Sequence, residues 1–525
     1  MFGVVVTGCA GLEPGDDDAA SAAPATATVA ATTTATAQAV TLNDRLLSCA
    51  SDPRVQAGLV SADVCAGADL FLRETFNGNG RSCATCHRVE DNFAIDPAFI
   101  ATLPKSDPLF IAERGGALAE LEKPAIMRQF GLILENVDGF APDPTQHFVM
   151  RSVPHTLSLA TSVDFIPAGS HDPVGRTGWS GDGAPNPDPL SPNPGTLRDF
   201  QTGAITQHYT RSLARVAGTD FRLATDDELD KIDAFMRGLG RSNELALTSV
   251  VMSDPRAEAG RAKFLSVGCN ACHGNAGANA TFGIVDGKAG QNNRNFNTGV
   301  ESRRTPALAG LPVDGGFGQG VNGSAFGDGT FNTPPLVEAA DTGPFFHTAV
   351  QVTDASAHNT DFVQTIEEAI AFYDSSGFNQ SPSGKVAPID LTADEIDNIG
   401  RFLRGVNATF NIAIAQKRLD AVATLIGKLG NTRSDIQNKL LALATKELLD
   451  ASNDLLRVPA GTPALNKDTQ TDLASVEVLL ALTQLTDSIP TRTLAVTTAR
   501  AALAQTSAKI GSNLNYTIGS GSVMF

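Results

Sequence analysis

Two short segments combine cysteine and histidine at a spacing that can hold an iron porphyrin. Cys83-Ala84-Thr85-Cys86-His87 and Cys269-Asn270-Ala271-Cys272-His273 both have the pattern C-x-x-C-H. In this pattern both thiols add across the vinyl groups of a haem, and the adjacent histidine ligates the iron. A zinc half-site or a redox dithiol is the alternative, but a zinc site needs further ligands near by and none is evident. The sequence therefore predicts two covalently bound haem c groups, with His87 and His273 as proximal ligands.

The ligand on the other side of each iron stays open at this point. No methionine lies between Met252 and Met524, so the second haem has no methionine candidate near it in the chain. The candidates for the second haem are His347, His358 and Tyr373. The candidates for the first haem are His147, His155, His171 and His208. An empty sixth site is a further alternative, and it would leave the iron free to bind dioxygen or peroxide.

The overall composition bounds the class of protein. The chain has 525 residues, which suffices for two or three domains, and 42% of them are hydrophobic. Its net charge of −18 argues against a nucleic-acid partner, because a phosphate backbone requires a basic surface. No apolar run is long enough for a membrane-spanning helix.

The N-terminal residues have the features of an exported protein. Val6-Thr7-Gly8-Cys9 resembles the cleavage box of bacterial lipoproteins, in which the cysteine is lipidated, although no basic residue precedes it. A chance match is the alternative. Residues 10–42 are rich in Ala, Thr, Pro and Asp without any aromatic residue, which is typical of a disordered tether. We therefore expect a periplasmic, outer-membrane-anchored or extracellular bacterial protein that contacts a membrane only through Cys9.

Two further cysteines remain once the haem motifs and Cys9 are set aside. Cys49 and Cys65 form an even pair in a chain that we expect to be exported. An oxidising compartment favours a disulfide between them. Two buried free thiols are the alternative.

The chain divides into four blocks around the two motifs. We predict a signal remnant and tether over 1–42, a first haem domain over 43–250, a second over 251–408 and a helical tail over 409–525. Asp254 with Pro255 predicts one helix start, and Thr392 with Glu395 predicts another. Regions 136–198 and 274–335 are rich in Gly, Pro and Asn and indicate long loops. The expected fold is mainly α, as two c-type cytochrome domains with long loops plus a C-terminal helical tail.

Several segments resemble one family of bacterial haem proteins. In the second block they are Asn332-Thr333-Pro334-Pro335-Leu336, Gly343-Pro344-Phe345-Phe346-His347, the stretch from Thr365 to Tyr373, and the helix that begins Leu391-Thr392-x-x-Glu395. In the first block they are Arg151-Ser152-Val153-Pro154 and Trp179-Ser180-Gly181-Asp182-Gly183. Together, over roughly residues 65–408, they resemble the bacterial di-haem cytochrome c peroxidases and the related MauG enzymes.

The resemblance implies roles for individual residues. The first haem would react with the oxidant, and the second would receive or store electrons. Trp179, the only tryptophan, would lie between the haems and help electrons to cross. Tyr373 occupies the position of the MauG ligand to the second haem, with His347 or His358 as alternatives. The backbone carbonyls of Thr342 and Pro344 would hold a calcium ion.

Two departures from the family pattern bear on the activity. The family's acid–base glutamate would fall near Thr210, but no Asp or Glu occurs from Phe200 to Gly218. An insertion of about 60 residues also separates His87 from Arg151. Both features resemble the di-haem rubber oxygenases, as do the segments at 91–96, 150–155 and 203–208. In that branch Phe200 would line the distal pocket.

The resemblance therefore implies a haem-dependent oxidoreductase. It would reduce peroxide or activate another oxidant at the first haem, with electrons supplied by a donor protein through the second. One alternative is a dioxygenase that cleaves an apolar polymer such as polyisoprene. The other is an electron-transfer cytochrome without enzymatic activity.

Overall fold

The chain folds mainly into α-helices, as the computed structural model shows, and this confirms the predicted fold class. The structure describes residues 41–115, 117–120, 122–135, 148–165, 173–175, 177–181, 196–278, 295–303, 308–316, 327, 329–348, 365–430, 434–456, 465 and 467–525. Cys9, His147, His171 and His358 lie outside these residues. Residues 42–525 form one compact unit.

Sixteen α-helices lie in the described residues. They are α1 Leu42–Ala50, α2 Pro53–Gln56, α3 Ala62–Arg73, α4 Pro97–Thr102, α5 Pro124–Phe130, α6 Leu197–His208, α7 Asp226–Arg237, α8 Pro255–Val267, α9 Cys269–Cys272, α10 Ile366–Asp374, α11 Ser376–Asn379, α12 Pro382–Val386, α13 Ala393–Leu429, α14 Ser434–Leu456, α15 Lys467–Gln484 and α16 Ile489–Ile510. None of these helices is long and apolar enough to cross a bilayer.

Short strands pair in four antiparallel ribbons. The strands are β1 Leu132–Glu135, β2 Val149–Ser152, β3 Val163–Phe165, β4 Pro173–Gly175, β5 Val251–Met252, β6 Asn295–Phe296, β7 Phe331–Asn332 and β8 Gly511–Ser512. The pairs are β1 with β2, β3 with β4, β5 with β8 and β6 with β7. Each ribbon has only two strands. The ribbons therefore connect loops, and the core is built from helices.

Both predicted helix starts are confirmed. Asp254 accepts the amide of Arg256 at 2.9 Å and caps α8, whose first residue is Pro255. Thr392 and Glu395 form the predicted capping box at the start of α13. These side chains satisfy amide groups that have no partner inside the helix, which is why the two starts could be located from the sequence.

Each haem motif follows a helix that crosses a later helix at a glycine. A Cβ atom added to Gly67 of α3 would lie 1.7 Å from the carbonyl oxygen of Lys231 in α7. A Cβ atom added to Gly260 of α8 would lie 1.8 Å from the carbonyl oxygen of Asn398 in α13. Only glycine permits backbones to approach so closely. The helix that precedes each motif is therefore crossed in the same way in both blocks.

The tail forms a bundle with the last helix of the second block. Helix α13 runs without interruption through residues 408 and 409, where we place a domain boundary. It packs against α14 and α16, and α15 packs against α14 and α16. In α14, Leu440, Leu441 and Leu448 are buried, whereas Leu449 is exposed. The domain boundaries at 250 and 408 stay predictions.

The last fifteen residues follow α16 and contact both haem blocks. Strand β8 pairs with β5, and Phe525 lies in edge-to-face contact with Phe93, with ring centroids 5.0 Å apart. The guanidinium of Arg418 in α13 lies 5.1 Å from the Phe525 ring. The end of the described chain therefore packs directly behind the loop that follows the first motif.

The predicted disulfide between Cys49 and Cys65 is confirmed and joins α1 to α3. Its sequence separation of 16 residues predicts a loss of about 3 kcal/mol in the free energy of unfolding when both cysteines become serine. Urea unfolding of the double variant measures this loss. A variant that unfolds at the wild-type urea concentration would show that the bond does not constrain the unfolded chain.

Candidate functional site

Residues of both C-x-x-C-H motifs line one cavity of about 350 Å³. Its wall is mainly apolar and comes from distant parts of the chain, including α6, α7, α8, α10 and α13. All six residues in which the motifs predict haem attachment line it: Cys83, Cys86, His87, Cys269, Cys272 and His273. A continuous apolar space thus runs from one motif to the other.

His87 is oriented by a backbone carbonyl. Its Nδ1 lies 3.0 Å from the carbonyl oxygen of Phe93. Because a carbonyl only accepts, Nδ1 carries the proton in this contact. The Pro154 backbone also interacts with the imidazole. Burial lowers the pKa of His87 to about 4, so the imidazole is neutral at pH 7. Neutral imidazole with a fixed tautomer is the form that ligates a metal ion.

His273 has the same arrangement. Its Nδ1 lies 2.9 Å from the carbonyl oxygen of Pro334, and burial lowers the pKa of His273 to about 4. Pro334 belongs to one of the segments that carry the family resemblance. The two motif histidines are thus held alike, each through Nδ1 by a backbone carbonyl.

The four motif cysteines are free thiols at the cavity wall. Burial raises the pKa of Cys83 to about 11 and that of Cys269 to about 12. Tyr209 donates from its hydroxyl to Cys83 Sγ at 3.0 Å. In the described part of the chain, no cluster of three or more His, Cys, Asp or Glu side chains could hold a metal ion. Paired thiols, an oriented imidazole and an apolar cavity fit haem c at both motifs.

The insertion that follows the first motif is docked onto it by a buried arginine. Arg81 makes a bidentate ion pair with Glu122, at 2.6 and 2.8 Å, and donates to the Leu109 carbonyl at 2.9 Å. Arg81 also lines the main cavity. The insertion therefore forms part of the site.

Trp179 lies at the cavity wall, where it contacts segments of both blocks. Its indole Nε1 donates to the Ser152 carbonyl at 2.8 Å. Its own carbonyl accepts the amide of Asn332 at 2.8 Å, two residues before the partner of His273. The indole is thereby held between the strand that ends at Ser152 and the loop that orients the second motif.

Phe200 also lines the cavity, near the start of α6. Gly178 has a positive φ of 64°, and a Cβ atom there would lie 2.7 Å from the Phe200 ring. The glycine therefore allows the Trp179 loop to contact Phe200 directly. Thr210, where the family places its glutamate, is buried and donates to the Ser212 carbonyl at 2.6 Å.

Tyr373 and His347 both line the cavity but differ in their contacts. Tyr373 lies within an aromatic cluster, and its ring centroid is 5.1 Å from that of Phe378. Burial, with the neighbouring Cys272 and Cys269, raises the pKa of Tyr373 above its ordinary value. His347 Nε2 is 2.8 Å from a Glu301 carboxylate oxygen. Tyr373 thus neighbours the cysteines of the second motif, and the role of either residue as iron ligand stays a prediction.

Two of the candidate ligands for the first haem lie in the described residues. His155 and His208 line the cavity, and burial lowers the pKa of His208 to about 3. His155 Nδ1 is buried and has no hydrogen-bond partner among the described residues. Both histidines therefore remain candidates for the sixth position or for contact with a bound oxidant.

Thr342 and Pro344 line the same cavity. The Thr342 hydroxyl donates to the Ala339 carbonyl at 3.1 Å. The calcium ion that the resemblance implies at their carbonyls stays a prediction.

The comparisons with known proteins do not establish a family. No family model matches the chain, and no curated protein is similar to it. A solved structure described as the "crystal structure of a MauG-like protein associated with microbial copper homeostasis" aligns with 66% of this chain and 88% of its own. The two are 16% identical with a TM-score of 0.33, which is too low to support a conclusion about fold or activity.

Proposed function

We propose that the protein is a di-haem c-type cytochrome oxidoreductase of the cytochrome c peroxidase/MauG type. One observation carries the proposal. The two C-x-x-C-H motifs open onto a single apolar cavity, and each motif histidine is oriented through Nδ1 by a backbone carbonyl. Haem groups bound at the two motifs would therefore share one cavity wall.

The chain supplies the surroundings and haem c supplies the iron chemistry. When bound, haem c provides an iron that binds the oxidant and exchanges electrons. The carbonyls of Phe93 and Pro334 orient the two proximal histidines. The apolar wall, with Phe200 at the first motif, limits access of water to the reacting atoms.

The residues beside each motif support different roles for the two haem groups. Tyr373, which neighbours Cys269 and Cys272, would ligate the second iron and make that haem six-coordinate and suited to electron transfer. The first haem would then bind peroxide or another oxidant. Trp179, held between the two blocks, would assist electron transfer from one haem to the other. The electron donor would be a redox protein outside the bacterial cytoplasm. The chain would be held at a membrane through a lipid on Cys9.

Peroxide turnover by the half-reduced protein, with pre-reduced cytochrome c as donor, tests the proposal. We expect catalytic oxidation of the donor, and slower turnover in Trp179→Leu with unchanged binding of cyanide to the first haem. No turnover, with the first haem still open to small ligands, contradicts peroxidase activity and favours an oxygenase. The absence of Asp and Glu from 200 to 218 is the observation that favours this second candidate. Two six-coordinate haems that ignore both oxidants indicate an electron-transfer protein.

A further inference from the structure

Two buried polar side chains meet on neighbouring helices at the cavity wall. Gln201 in α6 is 6% exposed and lines the cavity, and Asp233 in α7 is 2% exposed. Gln201 Nε2 donates to Asp233 Oδ1 and also lies 3.6 Å from Met236 Sδ. The side-chain amide is therefore held at one end by a carboxyl group that lies behind the cavity wall.

Neither side chain has all of its hydrogen-bonding atoms satisfied. Gln201 Oε1 and Asp233 Oδ2 are buried, and neither has a hydrogen-bond partner among the described residues. An unpaired acceptor in the interior costs free energy, and natural structures retain few of them. A buried acid with an open oxygen beside a cavity-lining amide is thus a candidate for a functional role.

Helices α6 and α7, which carry the pair, lie beside the first motif. Tyr209 directly follows α6, and its hydroxyl is 3.0 Å from Cys83 Sγ. Phe235, two residues after Asp233, has its ring centroid 5.3 Å from that of Phe71. The Phe71 ring lies in turn 6.1 Å from the ring of His87. Through these contacts both helices reach the first motif, and Gln201 lines the cavity onto which that motif opens.

Burial and the neighbouring groups together bring the pKa of Asp233 close to neutral pH. Burial is the largest cause and raises the pKa of Asp233 to about 7, and Asp230 acts in the same direction. The Gln201 amide and the cations Arg198 and Arg237 oppose this rise in pKa. The carboxyl group is therefore neutral below about pH 7 and ionised above it.

We propose that Asp233 decides which atom of the Gln201 amide faces a ligand on the first haem. The idea rests on the proposed function, because it requires an open first haem. With Asp233 ionised, Nε2 donates to the carboxylate. With Asp233 protonated, its hydroxyl donates to Oε1 after a half-turn of the amide, and Nε2 takes the position that Oε1 held. Asp233 is thus a positioning residue, and Gln201 is the residue that contacts the ligand.

The proposal predicts a pH-dependent hydrogen bond to a bound ligand. Carbon monoxide on the reduced first haem is the probe, because a nearby donor lowers its infrared stretching frequency. We expect a low-frequency band at about pH 5 that gives way to a higher-frequency band as the pH rises through about 7. Gln201→Leu should show only the higher band at every pH, and Asp233→Asn should show no pH-dependent exchange of bands.

Asp230→Asn is the matched control on the same helix. Its carboxylate is paired with Arg198 at the surface, and its loss should leave the transition in place but move it to lower pH. A wild-type spectrum that does not change with pH, or an unchanged transition in Asp233→Asn, overturns the proposal. If Asp233→Asn does not fold, the comparison of wild type with Gln201→Leu decides. Failure of carbon monoxide to bind the first haem overturns both this inference and the proposed function, whereas binding without a transition overturns the inference alone.

Discussion

Replacing His87 by glycine is expected to abolish peroxide turnover while the haem stays attached to the chain. The thioether bonds to Cys83 and Cys86 do not depend on the histidine, so loss of its imidazole removes the iron ligand alone. The expected loss exceeds the roughly 10- to 100-fold that removal of a second-shell partner typically causes. Steady-state turnover and haem content per chain measure the two effects separately.

Imidazole added to the solution should restore part of the activity of the His87 variant. The cavity beside the motif has room for the missing ring, and the Phe93 carbonyl remains as its acceptor. His273→Gly is the matched control, because its iron would lie on the electron-transfer side. It should lose turnover with the external donor yet keep ligand binding at the first haem. Full activity of His87→Gly without imidazole would exclude His87 as the essential ligand.

Replacing Arg241 by methionine is expected to be strongly destabilising. Arg241 and Glu338 are both 0% exposed in their side chains and pair at 2.7 Å, and Glu244 completes the cluster at 2.9 Å from Arg241. Removing the arginine leaves Glu338 buried without its counter-charge. Breaking a buried pair in this way costs about 3–5 kcal/mol in the free energy of unfolding, which urea denaturation measures.

Two further variants separate the pair from its surroundings. The double variant Arg241→Met with Glu338→Leu should recover much of the lost stability, because no uncompensated charge then remains in the interior. Arg500→Ala should cost only about 0–1 kcal/mol, since its pair with Asp420 lies at the surface. Equal losses for Arg241→Met and Arg500→Ala would contradict the role that we assign to burial.

Local patterns were sufficient wherever the chemistry involves neighbours in the chain. The capping box at the start of α13 was found in this way, because Thr392 and Glu395 are three positions apart. The disulfide was found by elimination once the motifs had claimed four cysteines. Leu449 shows the limit of such patterns. It belongs to an apolar run, but the position of α13 and α15 decides which side of α14 is covered.

Contacts between distant residues had no signal in the sequence. Arg241 and Glu338 are 97 residues apart, and Gln201 and Asp233 are 32 apart. The return of Phe525 to Phe93 could not be foreseen either, because the tail has no pattern in common with the haem blocks. From charge and polarity alone, Arg241, Glu338, Gln201 and Asp233 would be expected at the solvated surface. Their partners are known only once the fold brings the two segments of each pair together.

The sequence by itself determined where haem attaches, because five consecutive residues contain both thiols and the proximal imidazole at each site. Only the tertiary structure decided how each imidazole is held and what surrounds it. The Pro334 carbonyl that orients His273 lies 61 residues along the chain, and the cavity wall is assembled from helices of both blocks and the bundle. The physical reason is that covalent attachment requires only local spacing, whereas ligand orientation and exclusion of water require packing between segments far apart in the chain.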